Sequence, residues 1–479
     1  MLDLLSKIMD AFGAAVVVPI IIFFIALIMK VKPKKAFGAA LNAGIGLTGF
    51  NMIIGAYSPI VTPVVNRMVE ETGVNLRILD TGWQATSVVA YSTQVGMIFY
   101  MGLILQTILF LVKYTNIFMP SDLWNNYSFM LWGSMLYIST KNLWLSIGLM
   151  VLSNLYCLVF SEIIAKRWSN YYGYPSCTMT APHHICSVPL AIGMDWLLTK
   201  MGANKVKWNP ETLQNKLGFL GEPTSLGFIL GLALGFAGNF MRLNTLEAWG
   251  EVTIVGISTA AIMAIFPKIA GIFASAFTTI TDASKKTAKS NSSDRVWFLA
   301  INDAAGYGET ATLLTGMLLI PIVLVLAIVL PGNQTLPMVD LIAIPYMIEL
   351  IICVSNGNIF KSLISGTIWC VGGLYMITAV APIFTDVAVE VGVNLPEGAL
   401  MICSFAVMTN HIMGLLFLIF MTQNPLWIGL SVVVYIILYV FVRVKKNPFM
   451  PILKTRLSVK RIQVLWKELP RNEQCCCYR

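Results

Sequence analysis

Charge is scarce in this sequence. Among 479 residues there are 32 Lys and Arg, 23 Asp and Glu, and three His, while 57% are hydrophobic. A soluble globule keeps its surface wet with about a quarter of its residues charged, so the composition excludes one. Also missing is a P-loop of the form GxxxxGK[ST], which excludes ATP hydrolysis built on that phosphate cradle. No cysteines are paired at metal-ligand spacing. Cys157, Cys177, Cys186, Cys353, Cys370 and Cys403 are scattered in or beside apolar stretches, as packing residues are. Cys475, Cys476 and Cys477 stand together in EQCCCYR, without the glycine nest or following helix that would hold a phosphorylated thiolate. No metal and no cofactor are expected.

What is abundant is apolar length. Runs at 11–29, 37–57, 94–112, 143–165, 224–241, 249–280, 311–330, 340–354, 361–381, 398–421 and 425–442 are mostly close to the ~20 residues a helix needs to cross a bilayer. The first run lacks a basic n-region and a small-residue cleavage site, which marks a retained helix. The fold expected is an all-α polytopic membrane protein of about 11 transmembrane helices, with broken or re-entrant segments where Gly and Pro interrupt the runs. The net charge of +9 follows the membrane, not nucleic acid. KVKPKK at 30–35, AKRW at 165–168, SKKTAKSNSSDR at 284–295 and RVKK at 443–446 each abut an apolar run. The positive-inside rule assigns all four to the cytoplasm, with the N-terminus outside and the C-terminus inside. Residues 1–442 then form one integral-membrane domain and 443–479 a basic cytoplasmic tail.

The chain also repeats itself. VEETGVNLR at 69–77 recurs as AVEVGVNLP at 388–396, each after a glycine-rich apolar segment with a proline-containing turn. On the loop assignment above, the two copies fall on opposite sides of the membrane. That predicts an inverted internal repeat, roughly 11–215 and 216–442.

Ionisable groups inside such a chain are the candidates for function. Glu222 lies in GFLGEPTSLGF, at the mouth of an apolar run. A carboxylate facing hydrocarbon costs ~2 kcal/mol or more, whereas one facing a substrate cavity accepts two hydroxyls. Its ordinary alternative is a helix start, with Pro223 at the first helical position. In APHHICSVP at 181–189, an imidazole can bond a hydroxyl and take its proton near neutral pH, or simply fix the loop. AINDAAGYGETATLL at 300–314 breaks the approach to a helix with Asp303, two glycines and Glu309. DTGWQATSVVAYSTQ at 80–94 offers Asp80, Trp83, Thr86, Ser87 and Gln94, polar groups for hydroxyls and an indole for a C–H face. An interfacial aromatic belt would also explain Trp83. Asn333 and Gln334 in PGNQ read either as loop residues or as a gate near the cytoplasmic mouth.

Five of these stretches also carry a resemblance. NAGIGLTGF, DTGWQATS, GFLGEPTSLGF, PGNQTLPMVDL and GNIFKSLISG resemble, in order and spacing, the galactitol family of membrane-embedded sugar-transporting subunits (enzyme IIC, EIIC) of the phosphoenolpyruvate-dependent phosphotransferase system. The resemblance covers nearly the whole chain to about residue 442 and not the tail. It implies a bacterial inner-membrane protein, usually a homodimer, related to the ascorbate transporters of the same system. Such a subunit carries a polyol and presents it to a cytoplasmic IIB subunit bearing a phosphocysteine, itself supplied by IIA. Residue by residue, it implies a substrate role for Glu222 in GEP, for Asp303 and for Asp80. His183, as the Pro–His of the family, becomes the catalytic candidate, and His184 stays a loop residue. Relatives can carry GHT where this chain reads Gly308–Glu309–Thr310, an exchange that removes a donor and adds a charge.

The residues themselves agree with that division of labour. The loops are short, and the tail is below the ~40 residues at which a domain folds without staples, so the phosphoryl donor belongs to another chain. Two other readings compete. An ion- or proton-coupled secondary transporter releasing unmodified substrate would use the same repeats and carboxylates. A membrane scaffold or channel would leave Glu222, Asp303 and Glu309 dispensable.

Overall fold

In lipid the backbone must satisfy its own polar groups, and an apolar segment does so as a helix. The computed structural model describes residues 14–28, 31–71, 76–93, 103–121, 126–290, 295–393, 395 and 399–444, and these are mostly helical. Helices α1 (Ala14–Ile28) and α2 (Pro33–Glu71) lead into strand β1 (Ile78–Asp80). There follow α3 (Trp83–Tyr91), α4 (Leu103–Leu111), β2 (Ile117–Phe118), α5 (Tyr127–Thr140), α6 (Leu143–Tyr172), β3 (Cys177–Met179), α7 (Pro182–Ile185) and α8 (Val188–Lys200). After α9 (Pro210–Leu217) the same order begins again: α10 (Pro223–Ala237), α11 (Leu246–Ser290), β4 (Phe298–Ile301), α12 (Ala304–Tyr307), α13 (Thr310–Val329), β5 (Thr335–Leu336), α14 (Ile344–Val354), α15 (Ile359–Glu390), β6 (Met401–Cys403), α16 (Phe405–Met408) and α17 (His411–Met421). Helix α18 (Pro425–Val444) closes the described chain.

Among the described residues, α6, the first part of α11 (Leu246–Phe273), α13, α15 and α18 are long and apolar enough to cross a membrane. Some of the apolar runs are not single helices. Residues 340–354 divide into a 3-10 turn and the 11-residue α14, and 398–421 into β6, α16 and α17. Hydropathy counts apolar residues and cannot see such breaks.

The strands depart from the all-α expectation. Each has only two to four residues, yet they form two parallel three-stranded sheets, ordered β5-β1-β6 and β2-β4-β3. Each sheet takes its central strand from one half of the chain and its outer strands from the other. Local capping recurs in step with this order. Lys141 (φ 54°) turns the chain before Asn142, whose side chain accepts the Leu145 N–H; Gly357 (φ 71°) does so before Asn358, which accepts the Lys361 N–H. The two GVNL copies are not equivalent places in this order. The first lies largely outside the described residues and precedes β1; the second precedes β6, which pairs with β1 in the same sheet.

Helices α1, α2, α10 and α11 pack on one another as a layer. Small residues let their backbones approach: a Cβ at Gly231 would meet Thr259 and the Val255 carbonyl, and one at Gly46 would meet Phe273. Asn42 donates to Ser275, Tyr57 bonds Thr259, and Arg67 bridges to Glu251 across the same layer.

One sequence assignment needs correcting. AKRW is not a loop but the last turns of α6. Lys166 is exposed there, while Arg167 is buried. The Arg167 guanidinium donates to the carbonyls of Cys353 (2.9 Å) and Val354 (3.3 Å) at the C-terminus of α14. A basic residue beside an apolar run therefore caps a neighbouring helix here, and it gives no anchor for orientation.

Candidate functional site

Parallel strands leave a sheet at the same end, so the turns that follow adjacent strands must meet. In the β2-β4-β3 sheet, Thr178 pairs with Ala300 and Met179 with Ile301. That register brings together α7, entered through Pro182, and α12, whose N-cap is Asp303. His183 and His184 thereby reach an aspartate more than a hundred residues away. His183 Nε2 lies 3.4 Å and His184 Nε2 3.3 Å from the same oxygen, Asp303 Oδ2. All three side chains are buried.

Aromatic rings wall this cluster. The two imidazoles meet edge to face at 4.1 Å, Tyr346 lies parallel to His184, Tyr307 packs on Tyr346 at 4.4 Å, and Tyr127 approaches His183. Among the described residues, both imidazole Nδ1 atoms are buried without a partner, as are both Glu349 carboxylate oxygens and the Trp168 indole nitrogen beside the turn that carries Asp303. Buried polar groups in this position are ones that the hydroxyls of a ligand can satisfy. Glu309 stands at the edge. It caps α13, accepting from the Thr312 N–H (2.9 Å) and hydroxyl (3.0 Å), and Tyr172 bonds the same Thr312 hydroxyl.

The ligand atoms of His183, His184 and Asp303 all lie within 4.8 Å of one another, a span that a metal ion fits. Neither imidazole Nδ1 has an outer acceptor, however, and metal-ligating histidines are held by one. Hydroxyl groups of a ligand suit the set better, since carboxylates accept and imidazoles both donate and accept.

The remaining sequence candidates lie elsewhere. Asp80 sits at the end of β1 in the other sheet, where its carboxylate is consumed by backbone N–H groups: Gly82 at 3.1 Å, Phe405 at 3.0 Å, Met338 at 3.0 Å and Asp340 at 2.8 Å. Asp340 in turn accepts from the Ser404 hydroxyl and the Ala406 N–H. This junction fastens three turns and is the counterpart, in the recurring order, of the His–Asp junction. Trp83 opens α3 half-exposed, Thr86 is buried and donates back to the Trp83 carbonyl, and Ser87 follows it on that helix. Gln94 lies outside the described residues. Asn333 donates to the Ala327 and Thr335 carbonyls and accepts from the Thr335 N–H and Thr378 hydroxyl, and the Gln334 carbonyl receives the Ile78 N–H. Both therefore build the β5–β1 edge. Glu222 is the N-cap of α10, half-buried, and its side chain makes no capping bond.

Comparison with known proteins bears on what this arrangement serves. The family of PTS system sugar-specific permease components (EIIC-GAT) matches residues 7–398, which include every member of the His–Asp cluster. The chain belongs to this family. Among similar members, the PTS system galactitol-specific EIIC component of Escherichia coli (strain K12) is 25% identical over 415 residues, 86% of this chain and 90% of that protein. A putative permease IIC component of the same strain is 28% identical over 396 residues, 82% and 89% respectively. As an EIIC permease with apolar crossing helices, the protein is an integral membrane component of a sugar phosphotransferase system.

Two functional candidates in this EIIC chain escaped the sequence reading. The sequence makes His184 look like a loop residue, yet it is the more buried of the pair and stacks on Tyr346. Glu349 is the other, and a lone acid inside the apolar run IPYMIELIICV is its usable signal.

Proposed function

We propose that this EIIC subunit translocates a galactitol-like polyol, binds it at the His183–His184–Asp303 cluster, and presents it for phosphorylation by a separate phosphocysteine-bearing IIB subunit. The observation that carries the reading is the convergence of two buried imidazoles on one Asp303 oxygen, among orphaned polar atoms and aromatic faces. The ionised Asp303 accepts polyol hydroxyls and the rings of Tyr307, Tyr346 and Tyr127 cover the carbon chain. Glu309 lends an acceptor at the edge, and Glu222, free of a capping bond, accepts hydroxyls on the way in.

In the phosphoryl transfer, a polyol oxygen attacks the phosphorus, the P–O bond forms as the P–S bond breaks, and the sulfur leaves as a thiolate. His183 takes the hydroxyl proton, and Asp303 orients the imidazole and stabilises its charged form. The recurring order of elements and the exchanged strands support an inverted internal repeat, with the site between its halves and alternating access by motion of one unit against the other. The subunit works as a homodimer in a bacterial inner membrane, N-terminus outside, with IIA upstream of IIB.

Galactitol binding to purified protein, measured by calorimetry alongside phosphoryl transfer from phosphorylated IIB, tests the assignment. Binding abolished in Asp303→Ala with the fold intact supports the site; unchanged binding overturns it.

A further inference from the structure

Glu349 is the buried acid that the transport reading leaves without a task. It is wholly buried on α14, three residues after Tyr346, and neither carboxylate oxygen has a hydrogen-bond partner. It is pressed against the broken segment that carries Asp303: a Cβ on Gly306 would collide with its carboxylate, so that carboxylate and the turn share one tightly filled space. Among the described residues, the charged groups around it give it no counter-ion. Asp303 and Glu309, on the α12 and α13 side, are acids. On α6, Arg167 spends its guanidinium on the carbonyls at the end of α14, and the Trp168 indole lies near without completing a bond. On α8 and α15, Asp195 and Lys361 pair with each other at 2.8 Å. On α7, both histidines turn Nε2 toward Asp303. Tyr172, Tyr174, Tyr346 and Cys353 complete the surroundings as neutral groups.

We propose that Glu349 holds a proton and acts as a positioning residue of the sugar site, its neutral carboxylic acid allowing the Gly306 turn to seat Asp303 beside the two histidines. An ionised carboxylate buried there beside acids would be costly and would repel Asp303, whereas the acid form is tolerated. Loss of the proton pushes the turn off α14 and carries Asp303 away from His183 and His184. Proton occupancy at Glu349 thus gates the geometry of the site. The inference rests on the polyol-binding reading for its functional consequence and on the packing around Gly306 for its structure.

The test uses full-length protein in detergent, the Glu349→Gln variant as a permanent neutral mimic, and galactitol as the probe. Wild-type affinity should fall at least tenfold on the alkaline side, at a pH where Glu349→Gln still binds within about threefold of the wild-type acid-side value. An infrared carbonyl band of a protonated carboxylic acid, shifted in D2O and missing in Glu349→Gln, should accompany this. Tenfold weaker binding by a folded Glu349→Gln at every pH, or the absence of that band from the wild type, overturns the proposal. Should galactitol fail to bind the wild type at all, the polyol reading falls, and the infrared band alone decides whether Glu349 holds a proton.

Discussion

At the scale of single residues, the account assigns Asp303 the strongest hold on substrate. Asp303→Asn keeps the shape and removes charge-assisted bonds worth ~1.5–3 kcal/mol each, so galactitol affinity should fall one to two decades by calorimetry. Glu222→Gln should weaken binding less than Asp303→Asn, because Glu222 has no bond to the cluster; the reverse order would move the site toward α10. His183→Ala should slow phosphoryl transfer about 100-fold or more while binding changes less, and an equal loss in both would make His183 a binding residue only. Much of this was legible in the sequence. Asp303 was marked by a glycine-framed break before an apolar run, and His183 by the rarity of histidine and the Pro–His pair of the resemblance. Asp80, marked by DTGW, is instead spent on four backbone amides, a distinction that depends on where Met338, Asp340 and Phe405 lie in space. His184 and Glu349 were missed for the opposite reason. Their meaning comes from a strand register and from the missing Cβ of Gly306, neither of which leaves a local pattern.

At the scale of elements, the working parts are the short strands and four-residue helices between the long helices. Apolar length revealed the long helices, and α13, α15 and α18 fall where the runs placed them. It could not reveal strands of two to four residues, which are held by partners from the other half of the chain. Their fastener makes a prediction. Asp80→Ala would leave four backbone N–H groups without an acceptor, each worth ~1–3 kcal/mol when buried. The variant should fail to accumulate as a monodisperse species in detergent extracts, whereas Asp80→Asn, which keeps one acceptor oxygen, should be intermediate. An Asp80→Ala protein that melts like the wild type would show that the junction is not what holds the strands.

At the scale of the whole molecule, the chain reads as a layer of α1, α2, α10 and α11 packed beside a core that holds two strand-exchanged junctions. One junction is closed by carboxylates bonded to backbone, the other opened by unpartnered polar groups. That difference within a recurring order is why only the second is proposed to hold substrate. The proposed orientation rests on the basic flanks at 30–35, 284–295 and 443–446, because Arg167 lies inside the core. A thiol introduced at Lys286 should be silent to an impermeant reagent applied outside intact cells, and labelling there would reverse the topology.

The central claim, transport coupled to phosphorylation at the His–Asp cluster, is tested most directly by labelled galactitol uptake into membrane vesicles with and without phosphorylated IIB inside. The account predicts that label accumulates only with phosphorylated IIB, as a phosphate ester, that an uncoupler leaves uptake intact, and that Asp303→Asn slows it at limiting substrate. Accumulation of unmodified galactitol without IIB, collapsing when the proton gradient is dissipated, would contradict it and establish ion-coupled secondary transport instead.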